Sequence, residues 1–172
     1  RRTSGPRSPR SWDGTAWVET TRARAPEVDA APLRVVTWNT LWDRYDADRI
    51  STARRRPLLL DALASLDADL IALQEVEPAL VDALLRADWV REGYWVSDDR
   101  EAKDVDAYGL FLLSRRPILE LALHPFGPHK GALAVVIDGP HGPLVVVTVH
   151  LTSDHTEGAA ARRKAELDSL AS

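Results

Sequence analysis

Val35-Val36-Thr37-Trp38-Asn39 and Asp69-Leu70-Ile71-Ala72-Leu73-Gln74-Glu75-Val76 decide how this chain folds. Each is an apolar run that delivers one polar residue at its C-terminal end. Such short runs read as buried strands, and a strand that presents Asn or Glu at its tip is how a sheet builds a site. Between them Leu59, Leu63 and Leu66 recur at helical spacing, so residues 53–66 read as an amphipathic helix with Pro57 in its first turns. Leu80, Val81, Leu84 and Leu85 then mark a helix opening near Pro78. Strand, helix, strand, helix in that order argues for an α/β layered domain.

Further along, the texture changes to strands. Residues 94–96, 108–114, 118–124, 132–138 and 144–150 are candidates, with turn chemistry at Arg116-Pro117 and across Asp138–Pro143. The last two read as a hairpin, and residues 159–170 read as a helix rich in Ala and alternating charge. The acidic stretch Ser97–Ala107 lacks the residue order of an EF-hand loop and reads as a solvated, mobile loop. Residues 1–32 read as a linker or the remnant of a preceding domain. Pro6, Pro9, Pro26 and Pro32 interrupt any periodicity there, and Trp12, Trp17 and Val18 are its main bulky apolar residues.

Composition narrows the chemistry. With 172 residues and 45% hydrophobic content the chain is long enough for one domain, or part of one, with its own core. The absence of cysteine excludes a disulfide framework, a thiolate zinc site and a cysteine nucleophile, so a metal would be held by oxygen or imidazole. No apolar run approaches the ~20 residues that span a bilayer, and the charged N-terminus has no signal-peptide core. Methionine is absent even at position 1, so the chain reads as a piece of a longer polypeptide with other domains, and a cytoplasmic location is the expectation. Residues 1–32 hold six Arg against four acids, leaving 16 basic against 22 acidic residues in 33–172. An acidic domain does not attract polyanions in bulk, so any nucleic-acid contact must come from local basic clusters or a metal.

Three strand tips carry the chemistry. The Asn39 amide can donate to a phosphate oxygen, although an Asn ending a strand also reads as a turn former. Glu75, at the end of an apolar strand, needs a cation or solvent to offset desolvation, and Mg²⁺ is satisfied by one or two carboxylates plus waters and substrate phosphate. His150, delivered by Val145-Val146-Val147-Thr148-Val149, offers an imidazole suited to proton transfer near neutrality.

Taken together, the tips Thr37-Trp38-Asn39, Leu73-Gln74-Glu75-Val76 and Val149-His150 resemble the endonuclease/exonuclease/phosphatase superfamily. These are the DNase I-like metal-dependent phosphodiesterases, and the likeness is nearest to the 5′-tyrosyl-DNA phosphodiesterase-like members. The resemblance covers residues 33–172 but only the N-terminal half of the family's pattern. It implies a DNase I-like four-layer α/β/β/α sandwich, of which the chain holds the first half. It further implies a phosphoester substrate, with DNA and RNA among the candidates, and Mg²⁺ as cofactor with Mn²⁺ as the alternative. Glu75 and Asn39 would serve the metal, and Asn39 and His150 the catalysis. Lys130, Arg115 and Tyr108 would contact phosphate or substrate, Arg115 and Tyr108 from the segment Tyr108–Arg115.

Ser153-Asp154-His155 spells the triplet that ends the family's pattern. It falls directly after His150, on the wrong segment for that role. The Asp-x-Asn strand and the terminal Asp-His pair are missing, so 172 residues with half a site are expected to be inactive alone. The alternative is a noncatalytic DNase I-like module of a multidomain nucleic-acid repair or processing protein.

Overall fold

The structure is a computed structural model that describes residues 4–20, 32–44, 46–139 and 141–171. In chain order the elements are β1 (Gly5–Arg7), β2 (Arg10–Trp12), β3 (Trp17–Glu19), β4 (Val35–Asn39), α1 (Ala47–Ile50), α2 (Thr52–Ser65), β5 (Leu70–Gln74), α3 (Pro78–Arg86), α4 (Asp88–Gly93), β6 (Trp95–Val96), α5 (Lys103–Tyr108), β7 (Phe111–Ser114), β8 (Ile118–Gly127), β9 (Lys130–Gly139), β10 (Gly142–His150) and α6 (Ala159–Asp168). They form a six-stranded sheet, β3-β2-β6-β7-β5-β4, and a four-stranded sheet, β1-β8-β9-β10.

β5 is buried along its whole length because both of its faces are covered. Ile71 and Leu73 face a helical layer with Leu63 of α2, Leu80, Val81, Leu84 and Leu85 of α3, and Val90 of α4. Leu70 and Ala72 face the other sheet, packing with Leu121, Leu123, Leu133, Val135 and Ile137. Strand alternation thus splits one apolar run between two cores, each fully buried Leu, Ile or Val stabilising by ~1.5–3 kcal/mol. On the outer side of the four-stranded sheet, the α6 end reaches His124 through Ser169 Oγ, 3.3 Å from His124 Nε2. The architecture is α/β, two packed sheets with a helical layer on the six-stranded one.

β4 runs parallel to β5 in the register Val35↔Leu70 to Asn39↔Gln74, so Asn39 and Glu75 emerge at the same end. β7 runs antiparallel to β5, pairing Leu73 with Phe111 and Leu70 with Ser114. β9 and β10 form the expected hairpin, with His150 opposite Gly131.

Residues 5–19 differ from the linker reading. β1 joins the four-stranded sheet through β8, and β2 joins the six-stranded sheet through β6, with β3 outside it. Three-residue strands are too short to carry a periodicity, which is why the sequence concealed them. Residues 1–3 and 21–31 of that stretch lie outside the described residues. The acidic stretch 97–107 also differs, since it contains α5 and buries Ala102 and Val105, with Asp98 accepting from the Asp99 and Val105 amides.

Candidate active site

The site begins with how β5 ends. Glu75 takes a left-handed backbone, φ 55°, which in a residue with a side chain costs ~1–3 kcal/mol and must be held by its surroundings. The holding groups come from the segment after β4. Thr40 Oγ1 donates to the carbonyls of Gln74 (3.1 Å) and Glu75 (2.9 Å), and Trp42 Nε1 donates to Val76 O (2.7 Å). The Glu75 carboxylate is then fixed from two sides. Asn39 Nδ2 donates to Oε1 (2.9 Å), and the Trp42 backbone amide donates to Oε2 (3.1 Å).

The four-stranded sheet brings the imidazole. Buried Gln74 reaches across the gap between the sheets, its Nε2 2.9 Å from Thr148 Oγ1, and His150 follows two residues later on the same face of β10. His150 Nε2 lies 3.4 Å from Glu75 Oε1 and 2.7 Å from Lys130 Nζ. The ring is 8% exposed, and its Nδ1 is buried with no partner among the described residues. The Trp42 ring meets His150 edge-on at 5.8 Å.

Electrostatics follow from this packing. The His150 contact, then the Asn39 and Trp42 donors, hold the Glu75 carboxyl at about 2 against the opposing effect of burial. Burial pushes the Lys130 ammonium below its ordinary range, with Glu75 and Glu166 opposing. Behind the site, Glu77 accepts from the Asp43 backbone amide at 3.0 Å, and burial raises its carboxyl.

Of these groups, the ionised Glu75 carboxylate is the one that could hold a divalent cation. An ionised carboxylate has about four lone-pair positions, of which Asn39, His150 and Trp42 address three, leaving one outward. Among the described residues no group of three or more His, Asp or Glu is placed to hold a metal ion, so a cation here would rest on Glu75. One carboxylate suits Mg²⁺, which keeps waters and takes substrate phosphate. Asn39 fits less directly, because its Oδ1 accepts the Leu41 amide at 2.9 Å and its nitrogen faces Glu75.

Asn39, Glu75, His150 and Lys130 therefore meet at one rim, but two expected contacts do not. Arg115 follows β7, whose antiparallel run carries it to the opposite end of β5 from Glu75. There it pairs with Asp67 at 2.5 Å and stacks over Tyr94 at 5.3 Å. Tyr108 ends α5; it is 5% exposed, packs in the core between the sheets and lines a cleft with Phe126 and His129 rather than the Glu75 rim. Asp154 of the Ser-Asp-His triplet is solvent-facing and pairs with Arg163 at 2.7 Å. The sequence reading missed Trp42, which holds Glu75 through its backbone and Val76 through its indole. Its one local signal was a second Trp shortly after the strand tip.

The model of the Endonuclease/Exonuclease/phosphatase family matches residues 36–172. Among solved structures, that of humanized D. rerio TDP2 carrying 14 mutations is 24% identical with a TM-score of 0.60, covering 80% of this chain and 57% of that one. D. rerio TDP2 complexed with single strand DNA product is 23% identical with a TM-score of 0.62, covering 80% of this chain and 52% of that one. The chain thus spans just over half the length of these structures, and identities of this size speak for the fold alone. No curated protein sequence matches the chain.

Proposed function

The chain belongs to the endonuclease/exonuclease/phosphatase family, and from that membership we propose that it carries one half of a divalent-metal-dependent phosphoesterase site. The observation that carries this reading is the convergence of Glu75, Asn39, His150 and Lys130 from both sheets on one rim. A divalent cation held at Glu75, Mg²⁺ or Mn²⁺, would supply charge stabilisation for the phosphoryl oxygens.

The chain's own residues do the rest. Asn39 and the Trp42 amide fix the Glu75 carboxylate in one orientation, so no reorganisation is needed during reaction. Lys130 places a compact positive charge beside the imidazole, where it attracts a phosphate. His150 holds or gives a proton at Nε2, the nitrogen facing both Glu75 and Lys130. DNA is the favoured substrate class, by analogy with the D. rerio TDP2 complexed with single strand DNA product.

The remainder of the family's domain would pack where both sheets are open. β4 and β10 are edge strands, bridged by Gln74 of β5, whose Nε2 meets Thr37 Oγ1 of β4 and Thr148 Oγ1 of β10, and they leave Val35 57% and Leu144 41% exposed. Residues 33–172 would then be the N-terminal part of that domain, and alone they would not turn over substrate.

The test is hydrolysis by the full-length protein, with Mg²⁺ or with EDTA, of a small phosphodiester, a phosphomonoester and single-stranded DNA. Glu75→Ala and His150→Ala should each lower turnover ~10²- to 10³-fold. Metal-dependent activity that persists in both variants would overturn the assignment.

A further inference from the structure

The Trp12–Trp17 hairpin builds a cleft that the catalytic rim does not use. α3 runs from Pro78, beside the Glu75 segment, to Arg86, so about 13 Å of helix separate the two places. The cleft encloses about 450 Å³, within the ~300–1,000 Å³ of small-ligand sites. Its floor is aromatic: the Trp12 and Trp17 rings meet edge to face at 5.8 Å, and the Arg91 guanidinium lies over Trp12 at 4.6 Å.

The floor is preorganised. Trp17 Nε1 and Arg91 Nε both donate to Leu85 O at 3.0 Å, tying hairpin and helix to one carbonyl at the α3 C-terminus. The hairpin tip is set by Asp13, whose Oδ1 accepts the Thr15 and Ala16 amides at 2.7 Å.

The rim is cationic. Arg86 and Arg100 share a single carboxylate, Asp82, at 2.8 and 2.9 Å, and both side chains are 62% exposed. Arg91 reaches Asp88 only at 3.9 Å. Three guanidiniums therefore line the cleft, with the Asp82 and Asp88 carboxylates on them and Asp13 turned into the hairpin tip. Val18, 38% exposed, is the most exposed large apolar side chain of the hairpin, with Trp12 and Trp17 half-buried, too little apolar surface for a protein interface.

We propose that this cleft is an accessory site for single-stranded nucleic acid, in which a base stacks on the Trp12–Arg91 layer and the flanking phosphates pair with Arg86 and Arg100. Interleaved aromatic faces and guanidiniums suit a strand because every base has a stacking face and every linkage a charge. The inference goes beyond the proposed catalysis and needs none of it.

Binding of a labelled oligothymidylate to the full-length protein in EDTA, read by anisotropy and by tryptophan quenching, tests it free of any hydrolysis. Trp12→Ala should weaken binding ~10-fold or more, the loss of one stacked base. Arg86→Glu with Arg100→Glu, at exposed positions that should not disturb folding, should weaken it similarly and flatten its salt dependence by ~0.7 per lost phosphate contact. Unchanged affinity in the double Arg variant overturns the site. So does an acidic peptide that binds more tightly than the oligonucleotide, which would assign the cleft to a protein partner. Loss in the Arg variant with none in a folded Trp12→Ala variant overturns it too, leaving a plain anion patch.

Discussion

Lys130 Nζ lies 2.7 Å from His150 Nε2, and that same nitrogen lies 3.4 Å from Glu75 Oε1. An imidazole nitrogen either accepts or donates, so Nε2 serves Lys130 or Glu75 but not both at once. Lys130 therefore competes with Glu75 for the imidazole, and under the proposed function a phosphate that drew the ammonium away would leave Nε2 to Glu75.

Lys130→Met tests that coupling. The variant removes the ammonium that the proposed function assigns to phosphate and leaves His150 to Glu75 alone. kcat/KM for a small phosphodiester should fall ~10- to 100-fold, and Lys130→Arg should restore part of it by returning the charge. Full activity in Lys130→Met would show that phosphate is met elsewhere.

The Glu75 carboxyl gives a pH signature of stability. Its ordinary value is 4.5 and the fold holds it at about 2, chiefly through His150. A depressed carboxyl stabilises the fold fully above the unfolded value and loses that contribution as pH falls through the folded one. The window therefore runs from about 4.5 down to about 2. Because the side chain keeps 22% of its surface in solvent, screening reduces the contribution to about 1–2 kcal/mol. Urea unfolding should show the stability gap between wild type and Glu75→Gln narrowing as pH drops through this window; a constant gap would refute the linkage.

Gly109 underlies the same carboxylate. It has φ 68°, and a Cβ there would stand 2.2 Å from the Trp42 ring and 3.1 Å from the Glu75 Cα. Gly109→Ala should cost about 2–4 kcal/mol, from left-handed backbone and overpacking together. The displaced Trp42 would shift its amide from Glu75, so turnover should fall even where the variant stays folded. Thermal unfolding and turnover at a permissive temperature separate the two effects.

What the sequence disclosed, and what it hid, follows range of interaction. Asn39, Glu75 and His150 end short apolar strands, a local pattern that one pass along the chain can read. The Arg115 position depends on β7 running against β5, and nothing in Tyr108–Arg115 itself encodes direction. Trp42 reads as one more apolar residue until tertiary contact brings its indole to Val76 O at 2.7 Å. β1 and β2 are pinned by partners far along the chain, as in Gly5↔Leu123 and Arg10↔Val96, and only the β2–β3 pairing is local, so local composition showed prolines and a linker.

Arg115 separates the two readings experimentally. A phosphate contact would make Arg115→Ala a kinetic lesion comparable to Lys130→Met. The structure instead seats the guanidinium on Asp67 and over Tyr94, at the far end of β5. The ion pair is exposed, 39% and 67% by side chain, so its loss should cost under ~1 kcal/mol. Arg115→Ala should keep kcat and KM within ~2-fold, as expected of a surface substitution away from the site. A rise in KM confined to phosphate-bearing substrates, with stability unchanged, would return Arg115 to the substrate and contradict the strand order that places it at the opposite rim.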